Sequence, residues 1–253
     1  MKFFTADLHL HTVLSACAEM EMLPEFILER AQELGLNLIA VTDHNSAENV
    51  VAMLKAAQGT GIAVLPGMEV QTREEVHLLC LFDTLEQVLD WQQVVYAHLP
   101  PLKNKENVFG TQVVLDVDGE PVGTNDRLLA TSVSLSVDKV VQRARDLKGL
   151  CIPSHVDRPA YSLIANLGFI PPDLGVVGVE ISHLVGPKEA RARFPQLEQY
   201  SLVASGDAHR LKEMARRTTL KMAEPTVAEL ALALAGEGDR GVWVDGIQSV
   251  GIR

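Results

Sequence analysis

The chain has 253 residues, of which 47% are hydrophobic and 22% charged, and carries a formal net charge of −11. That length suits one large α/β core, and the acidic balance argues against a basic track for long nucleic acid. No apolar stretch approaches the ~20 residues of a transmembrane helix, the opening Met1-Lys2-Phe3-Phe4-Thr5-Ala6-Asp7 lacks a signal-peptide core, and three cysteines form no paired framework, so a cytoplasmic, membrane-free protein with reduced thiols is expected.

The first predicted strand covers Phe3, Phe4 and Leu8 and ends in Asp7-Leu8-His9-Leu10-His11-Thr12. Side chains two apart on a strand share a face, so His9 and His11 can close on one ion. A helix over Leu23 to Leu34 follows, with Pro24 in its first turn and Gly35 at its C-terminal cap. Strand Leu38-Ile39-Ala40-Val41 leads directly into Thr42-Asp43-His44. After a helix over Ala47 to Gln58, strand Ile62-Ala63-Val64-Leu65 leads into Gly67-Met68-Glu69. The apolar run Val76 to Phe82 carries His77, and a helix over Leu85 to Leu99 places His98 on the surface.

The stretch from Pro100 to Ser136 breaks the alternation. Its segment Val113 to Gly123 reads as a β-hairpin turning at Asp118-Gly119, in an insertion suited to a lid, an oligomer contact or substrate selection. Alternation resumes with a helix over Val137 to Leu147 and strand Leu150-Cys151-Ile152, which leads to Ser154-His155. Strand Val176 to Ile181 leads to Ser182-His183, and strand Ser201 to Ala204 leads to Gly206-Asp207-Ala208-His209, before a last helix over Thr226 to Leu234. Cys80 and Cys151 fall in apolar runs and read as core. Short, nearly all-apolar strands alternating with helices predict a parallel barrel or a doubly wound sheet.

In a parallel barrel the residues after each strand gather on one face. His9, His11, His44, Glu69, His155, Asp207 and His209 all hold such positions. Nitrogen and oxygen ligands suit zinc, iron or manganese, and one ion takes three or four, so two or three divalent ions are expected. Each motif alone also has a bland reading: a packed His-x-His, Thr42-Asp43-His44 as a helix cap, Gly206-Asp207-Ala208-His209 as a turn, His77 as a satisfied core histidine. Their recurrence at successive strand ends points to a metal centre.

In this order the motifs resemble the PHP domain, named for polymerase and histidinol phosphatase. The resemblance implies a distorted (β/α)7 barrel, a single domain over residues 1–253 with an insertion at about 100–136. It also implies hydrolysis of phosphate esters through a metal-bridging hydroxide at a di- or trinuclear site. By matching motif, His9, His11, Glu69 and Asp207 would hold the first ion, and Glu69 would bridge to a second held by His77 and His155. A third would rest on His44 and His209, with Cys17 standing where trinuclear members have histidine, after Ala16 where others have Asp. Cys17 is either a thiolate ligand or a small packed residue. Asp7 and Asp43 are expected to orient imidazoles.

Asp207, His209 and His183 are the catalytic candidates, the two histidines as proton donors to the leaving group. Arg158 and Arg210 are candidates for the substrate phosphate. The expected substrate is a small phosphorylated metabolite or nucleotide, without long nucleic acid. A 3'-5' exonuclease on short oligonucleotides, an amidohydrolase-type hydrolase and a non-catalytic metal module stand as alternatives. Amidohydrolases also open with His-x-His, but often bridge their metals with a carboxylated lysine where this chain offers Glu69.

Overall fold

The computed structural model describes residues 1–251. In chain order its elements are β1 (Lys2–Leu10), α1 (Pro24–Leu34), β2 (Leu38–Val41), α2 (Val50–Ala56), β3 (Ala63–Gln71), β4 (His77–Leu81), α3 (Leu85–His98), α4 (Glu106–Phe109), β5 (Val113–Leu115) and β6 (Pro121–Thr124). The second half adds α5 (Val137–Asp146), β7 (Leu150–Pro153), α6 (Leu163–Leu167), β8 (Gly178–Ile181), α7 (Pro187–Arg193), β9 (Ser201–Ala204), β10 (Thr218–Met222), α8 (Val227–Ala235), β11 (Gly241–Val244) and β12 (Ile247–Gln248).

Local chemistry sets the ends of the helices. Pro24 opens α1 and Gly35, with φ of 67°, closes it in the left-handed conformation that glycine adopts without strain. A reciprocal capping box between Thr84 and Gln87 starts α3.

Eight strands form one curled sheet in the order β12-β11-β10-β1-β2-β3-β4-β7, and β8 and β9 form a separate parallel pair. The pair stands across the open side of the curl. Val156 N donates to Glu180 O beside β7, and the segment after β9 bridges to β1 through His11 N to Ala208 O (3.0 Å) and Ala208 N to His9 O (3.1 Å). The result is the distorted α/β barrel expected from the motifs.

The sheet is mixed rather than parallel. β1, β2 and β3 run parallel, whereas β4 is antiparallel to both β3 and β7. The cause is the short link Thr72–Val76 between β3 and β4, which permits a hairpin but not the crossover that parallel strands require. β10 pairs antiparallel with the first half of β1, leaving the second half free to meet the segment after β9.

Two apolar clusters flank the strands. One collects Ala6, Leu8, Leu38, Ala40, Leu79, Ile152 and Val203 from around the ring and is closed by Val227, Leu230 and Leu234 of α8. The other packs the alternate residues, such as Ile39 and Val41, against Ile27, Leu28, Val88, Trp91 and Val140 of the outer helices. Cys80 and Cys151 are buried there as cross-strand partners, their sulfurs 3.6 Å apart. The predicted hairpin is β5-β6.

Candidate metal centre

Six of the eight histidines converge at one end of the ring, around a single buried carboxylate. Glu69, near the end of β3, sets Oε1 3.1 Å from His9 Nε2, 3.0 Å from His77 Nδ1 and 3.4 Å from His155 Nε2. Its Oε2 lies 3.0 Å from His44 Nδ1 and 3.6 Å from His11 Nε2. Asp207, after β9, brings Oδ1 to 3.2 Å from His9 Nε2 and 3.3 Å from His11 Nε2, with His209 Nδ1 3.7 Å away.

The rings are held from behind. Glu180 of β8 is buried, and its Oε2 accepts from His9 Nδ1 (2.9 Å) and from His155 N (3.1 Å). A carboxylate only accepts, so the Nδ1 proton of His9 faces Glu180 and Nε2 faces the cluster. His11 is set by a relay. Ser15 Oγ gives its one proton to Asp43 Oδ1 (2.7 Å), and so accepts from His11 Nδ1 (2.9 Å), again leaving Nε2 for the cluster. Asp43 thus orients an imidazole as expected, through a serine.

Asp7 has a different task. Its carboxylate accepts backbone N–H groups of Gly206 (3.0 Å) and Ala215 (2.7 Å), fixing the loop that carries Asp207. Burial pushes its carboxyl up to about 7 against the pull of those amides.

Burial opposes charge throughout the cluster, and the neighbours decide. It disfavours a proton on His9, but Glu180, Glu69 and Asp207 outweigh it and raise the imidazole well above its ordinary range. For His11, burial and repulsion from His209 and His44 act together and hold it well below. Burial would raise Glu69 and Asp207, yet His77 and His9 draw the first down, and His9 and His11 the second. Two anionic carboxylates amid a ring of imidazoles form a donor set whose charge a divalent cation balances.

The donors also fit such an ion sterically. His9 Nε2, His11 Nε2 and Glu69 Oε2 are buried and have no hydrogen-bond partner, because their close neighbours lie off the N–H directions. A tetrahedral ion with bonds of about 2.0–2.1 Å has ligand edges of about 3.3–3.4 Å, close to the separations among His9, His11, Glu69 and Asp207.

Three donor groups lie within mutual reach: His9, His11, Glu69 and Asp207; His44, Glu69 and His77; and His11, His44 and His209. The first is the group expected. The second pairs His77 with His44, where the motif carry-over paired it with His155, because His44 follows β2 directly and leans over Glu69. The third draws on His11. Cys17 falls outside it, exposed as a residue while its thiol leans toward His44 and His209; burial pushes that thiol up, but the two imidazoles draw it down to about 6.

Of the other candidates, Arg158 ion-pairs with Asp207 Oδ2 at 2.5 Å and lines the cleft. Arg210 is tied to exposed Glu19 (3.1 Å), and His183 lies exposed on the outer rim with it.

The insertion does not wall the cleft, which is lined by His44, Glu69, His77, His155 to Tyr161 except for Val156 and Asp157, Asp207 and His209. It acts from behind, on the loop bearing His44. Buried Asn45, at φ 47°, donates to Leu129 O and Thr131 O, both at 2.7 Å. Neither Glu180 nor Tyr161 was singled out by sequence reasoning. A lone carboxylate inside the apolar run Val176 to Ile181 was the available signal for the first.

A curled α/β barrel whose strand ends gather six imidazoles and two carboxylates presents a donor set that fits a polynuclear metal site. Residues 7–113 match the model of the PHP domain, the family that the sequence motifs resemble. An uncharacterized protein of Methanocaldococcus jannaschii is 34% identical over 77 residues, 27% of this chain and 45% of that protein. Among solved structures, endonuclease Q of Pyrococcus furiosus, a lesion-specific endonuclease, aligns with a TM-score of 0.70 at 20% identity, over 95% of this chain and 58% of its own. This chain therefore spans little more than half of that enzyme. Another structure of endonuclease Q, aligned at a TM-score of 0.66 and 19% identity over 95% of this chain and 58% of its own, holds a 27-mer duplex with an abasic lesion at its active site. A protein of Bifidobacterium adolescentis, provisionally assigned as a metal-dependent phosphoesterase, aligns at 0.54 with 18% identity over 90% of this chain and 95% of its own. The expected absence of long nucleic acid finds no support in these likenesses, since one of the neighbours holds a DNA duplex. No helix among the described residues is long and apolar enough to cross a membrane.

Proposed function

We propose that this chain hydrolyses the phosphate ester of a small phosphorylated metabolite or nucleotide at the cluster around Glu69. The observation that carries the reading is one carboxylate within 3.0–3.6 Å of nitrogens from five imidazoles, the arrangement a carboxylate needs to be shared between ions. Two or three divalent ions of zinc, manganese or iron, held by His9, His11, His44, Glu69, His77, His155, Asp207 and His209, would supply an activated water and neutralise the phosphoryl oxygens.

The chain's own residues do the rest. Arg158, half-exposed at the cleft and paired to Asp207, is placed to fork onto a phosphoryl oxygen as the substrate displaces that pair. His209 lies nearer solvent than the buried imidazoles, and its Nδ1 faces Asp207 O at 3.0 Å, so with two ions bound, where none claims His209, its Nε2 carries a proton to the leaving oxygen. Glu180 and the Ser15–Asp43 relay fix His9 and His11 so that no ring must turn during the reaction. Cys17, His183 and Arg210 line the outer rim on the other side of Asp207 and His209.

Phosphoester chemistry is favoured over amide hydrolysis because Glu69 takes the central position and no lysine lines the cleft among the described residues. The likeness to endonuclease Q supports a second reading, in which the phosphate belongs to a nucleic-acid strand. The test is hydrolysis of paired chromogenic phosphate monoester and diester substrates by protein loaded with manganese, zinc or iron, against Asp207→Asn. Monoester turnover lost in the variant supports the first reading, and diester turnover lost in the variant supports the second. Equal rates in wild type and variant, with metal bound to both, overturn the assignment.

A further inference from the structure

One wall of the cleft holds no ligand. It is built from Pro159, Ala160 and Tyr161, which follow the helix-like turn after His155. Tyr161 sits at φ 56°, a left-handed conformation that a bulky aromatic seldom adopts. A hydrogen bond from His77 N to Tyr161 O (3.0 Å) fixes it there. The ring lies over the His77 imidazole, with centroids 4.8 Å apart and planes inclined by 25°. Yet Tyr161 remains 47% exposed. Such strain persists where surrounding structure enforces it, and it concentrates at ligand clamps.

Arg158, three residues earlier, lies on the same cleft against Asp207. A guanidinium suited to phosphate and an open aromatic face are therefore presented by one short segment beside the metal cluster. The wall between them, Pro159 and Ala160, offers no charge. A phosphate seated at the cluster would direct the organic part of its ester along this wall, onto the tyrosine ring.

We propose that Tyr161 is a stacking platform for a planar ring in the substrate, which makes the substrate class a nucleoside phosphate. The proposal rests on the phosphoester reading above. The base is supplied either by a free mononucleotide or by the end of an oligonucleotide, and the chemistry of recognition is shared. Aromatic stacking tolerates any base, so the platform selects for a nucleobase without selecting among sequences.

A plainer role for Tyr161, steadying His77, predicts that its loss weakens metal retention and all phosphate binding alike. Calorimetric titration of the manganese-loaded protein with non-hydrolysable phosphonates separates the two. The probes are a nucleoside 5′-phosphonate, ribose 5-phosphonate and a dinucleotide ending in the same group, each titrated into wild type, Tyr161→Ala and Tyr161→Phe, with manganese content measured alongside. The nucleoside compound should bind wild type about tenfold more tightly than the ribose compound or better, Tyr161→Phe should keep that gap, and Tyr161→Ala should close it. A further gain with the dinucleotide, lost in Tyr161→Ala, assigns the base to a chain end. No gap in wild type, or an equal gap in Tyr161→Ala, overturns the platform, as does parallel loss of manganese and of both affinities. If none of the three phosphonates binds metal-loaded wild type, the phosphoester reading itself fails.

Discussion

Glu180→Gln isolates the contribution of a residue that touches no other member of the cluster than His9 and the backbone of His155. Glutamine keeps the volume, and its carbonyl can still accept from His155 N, so the fold at β8 should survive. What changes is the partner of His9 Nδ1. The glutamate can only accept, which commits the Nδ1 proton outward and the Nε2 lone pair to the cluster, across 2.9 Å. An amide is equally able to present its NH2 to Nδ1, which lets the ring move its proton to Nε2, where it blocks a ligand position. The charge-assisted bond lost is worth roughly 1.5–3 kcal/mol. At about 1.4 kcal/mol per decade that is roughly a ten- to hundredfold loss of affinity for the first ion, the range that partners behind metal-binding histidines generally command. Zinc affinity measured by competition with a chromogenic chelator reads this directly, with far-ultraviolet circular dichroism as the check on folding. An affinity within about twofold of wild type in a folded variant would refute the assignment of His9 as an oriented ligand.

Three further outcomes follow from the surroundings of the site. Asn45→Ala removes the two bonds that tie the His44 loop to Leu129 O and Thr131 O and leaves a non-glycine residue at positive φ; urea unfolding should show a loss on the order of 2–4 kcal/mol, and unchanged stability would mean the insertion is not a brace. At Gly67 an added Cβ would meet Leu81 Cδ2 and Val41 O at 2.9 Å, so Gly67→Ala should cost about 1–3 kcal/mol in overpacking and displace Glu69 two residues on, read as a lower urea midpoint together with weaker zinc binding. The Glu229 carboxylate is drawn down to about 2 by hydrogen bonds from Arg240 and Ala223 N. Between pH 4.5 and 2 the unfolded chain then holds more of that proton than the folded one, so stability from the pair is complete above pH 4.5 and is lost as pH falls toward 2. The difference in urea midpoint between wild type and Arg240→Gln should be constant at neutral pH and shrink across that window.

The convergence of the candidate ligands was legible because the fold places them where short motifs betray them. His9 and His11 end β1, His44 follows β2, and His155, Asp207 and His209 follow strands whose apolar runs are plain in the sequence. What was not legible depends on contacts between distant segments. The grouping of His77 with His44 as well as His155 around Glu69 depends on β4 reversing beside β3, and that reversal depends on a link of a few residues whose hairpin character no hydrophobic period records. Glu180 carried a signal, a charge inside an apolar strand, but its partner His9 lies 171 positions away. Asp7 was read as an imidazole partner because it stands two residues before His9 on the same strand face, whereas its carboxylate is taken up by the backbone N–H groups of Gly206 and Ala215, about two hundred positions away. The insertion was read from its length as suited to a lid, an oligomer contact or substrate selection. Its polar side chains, Gln112 and Asn125 among them, are spent on its own backbone and on Glu48 and Tyr96, which makes it a buttress.

Net charge misled in an instructive way. A sum of −11 counts Glu69, Asp207 and Glu180 as though they faced solvent, whereas each is turned into a cluster that two or three divalent ions would bring toward neutrality or beyond. The local field at the cleft is then set by those ions and by Arg158, not by the sum over the whole chain. Phosphate recognition needs only that local field, while a long duplex needs a continuous basic stripe. A phosphorylated molecule or a strand end reaching into the cleft meets the first requirement whatever the charge of the rest of the surface. Distinguishing these partners therefore turns on what touches Tyr161 and Arg158, and the whole-chain charge carries no information about either.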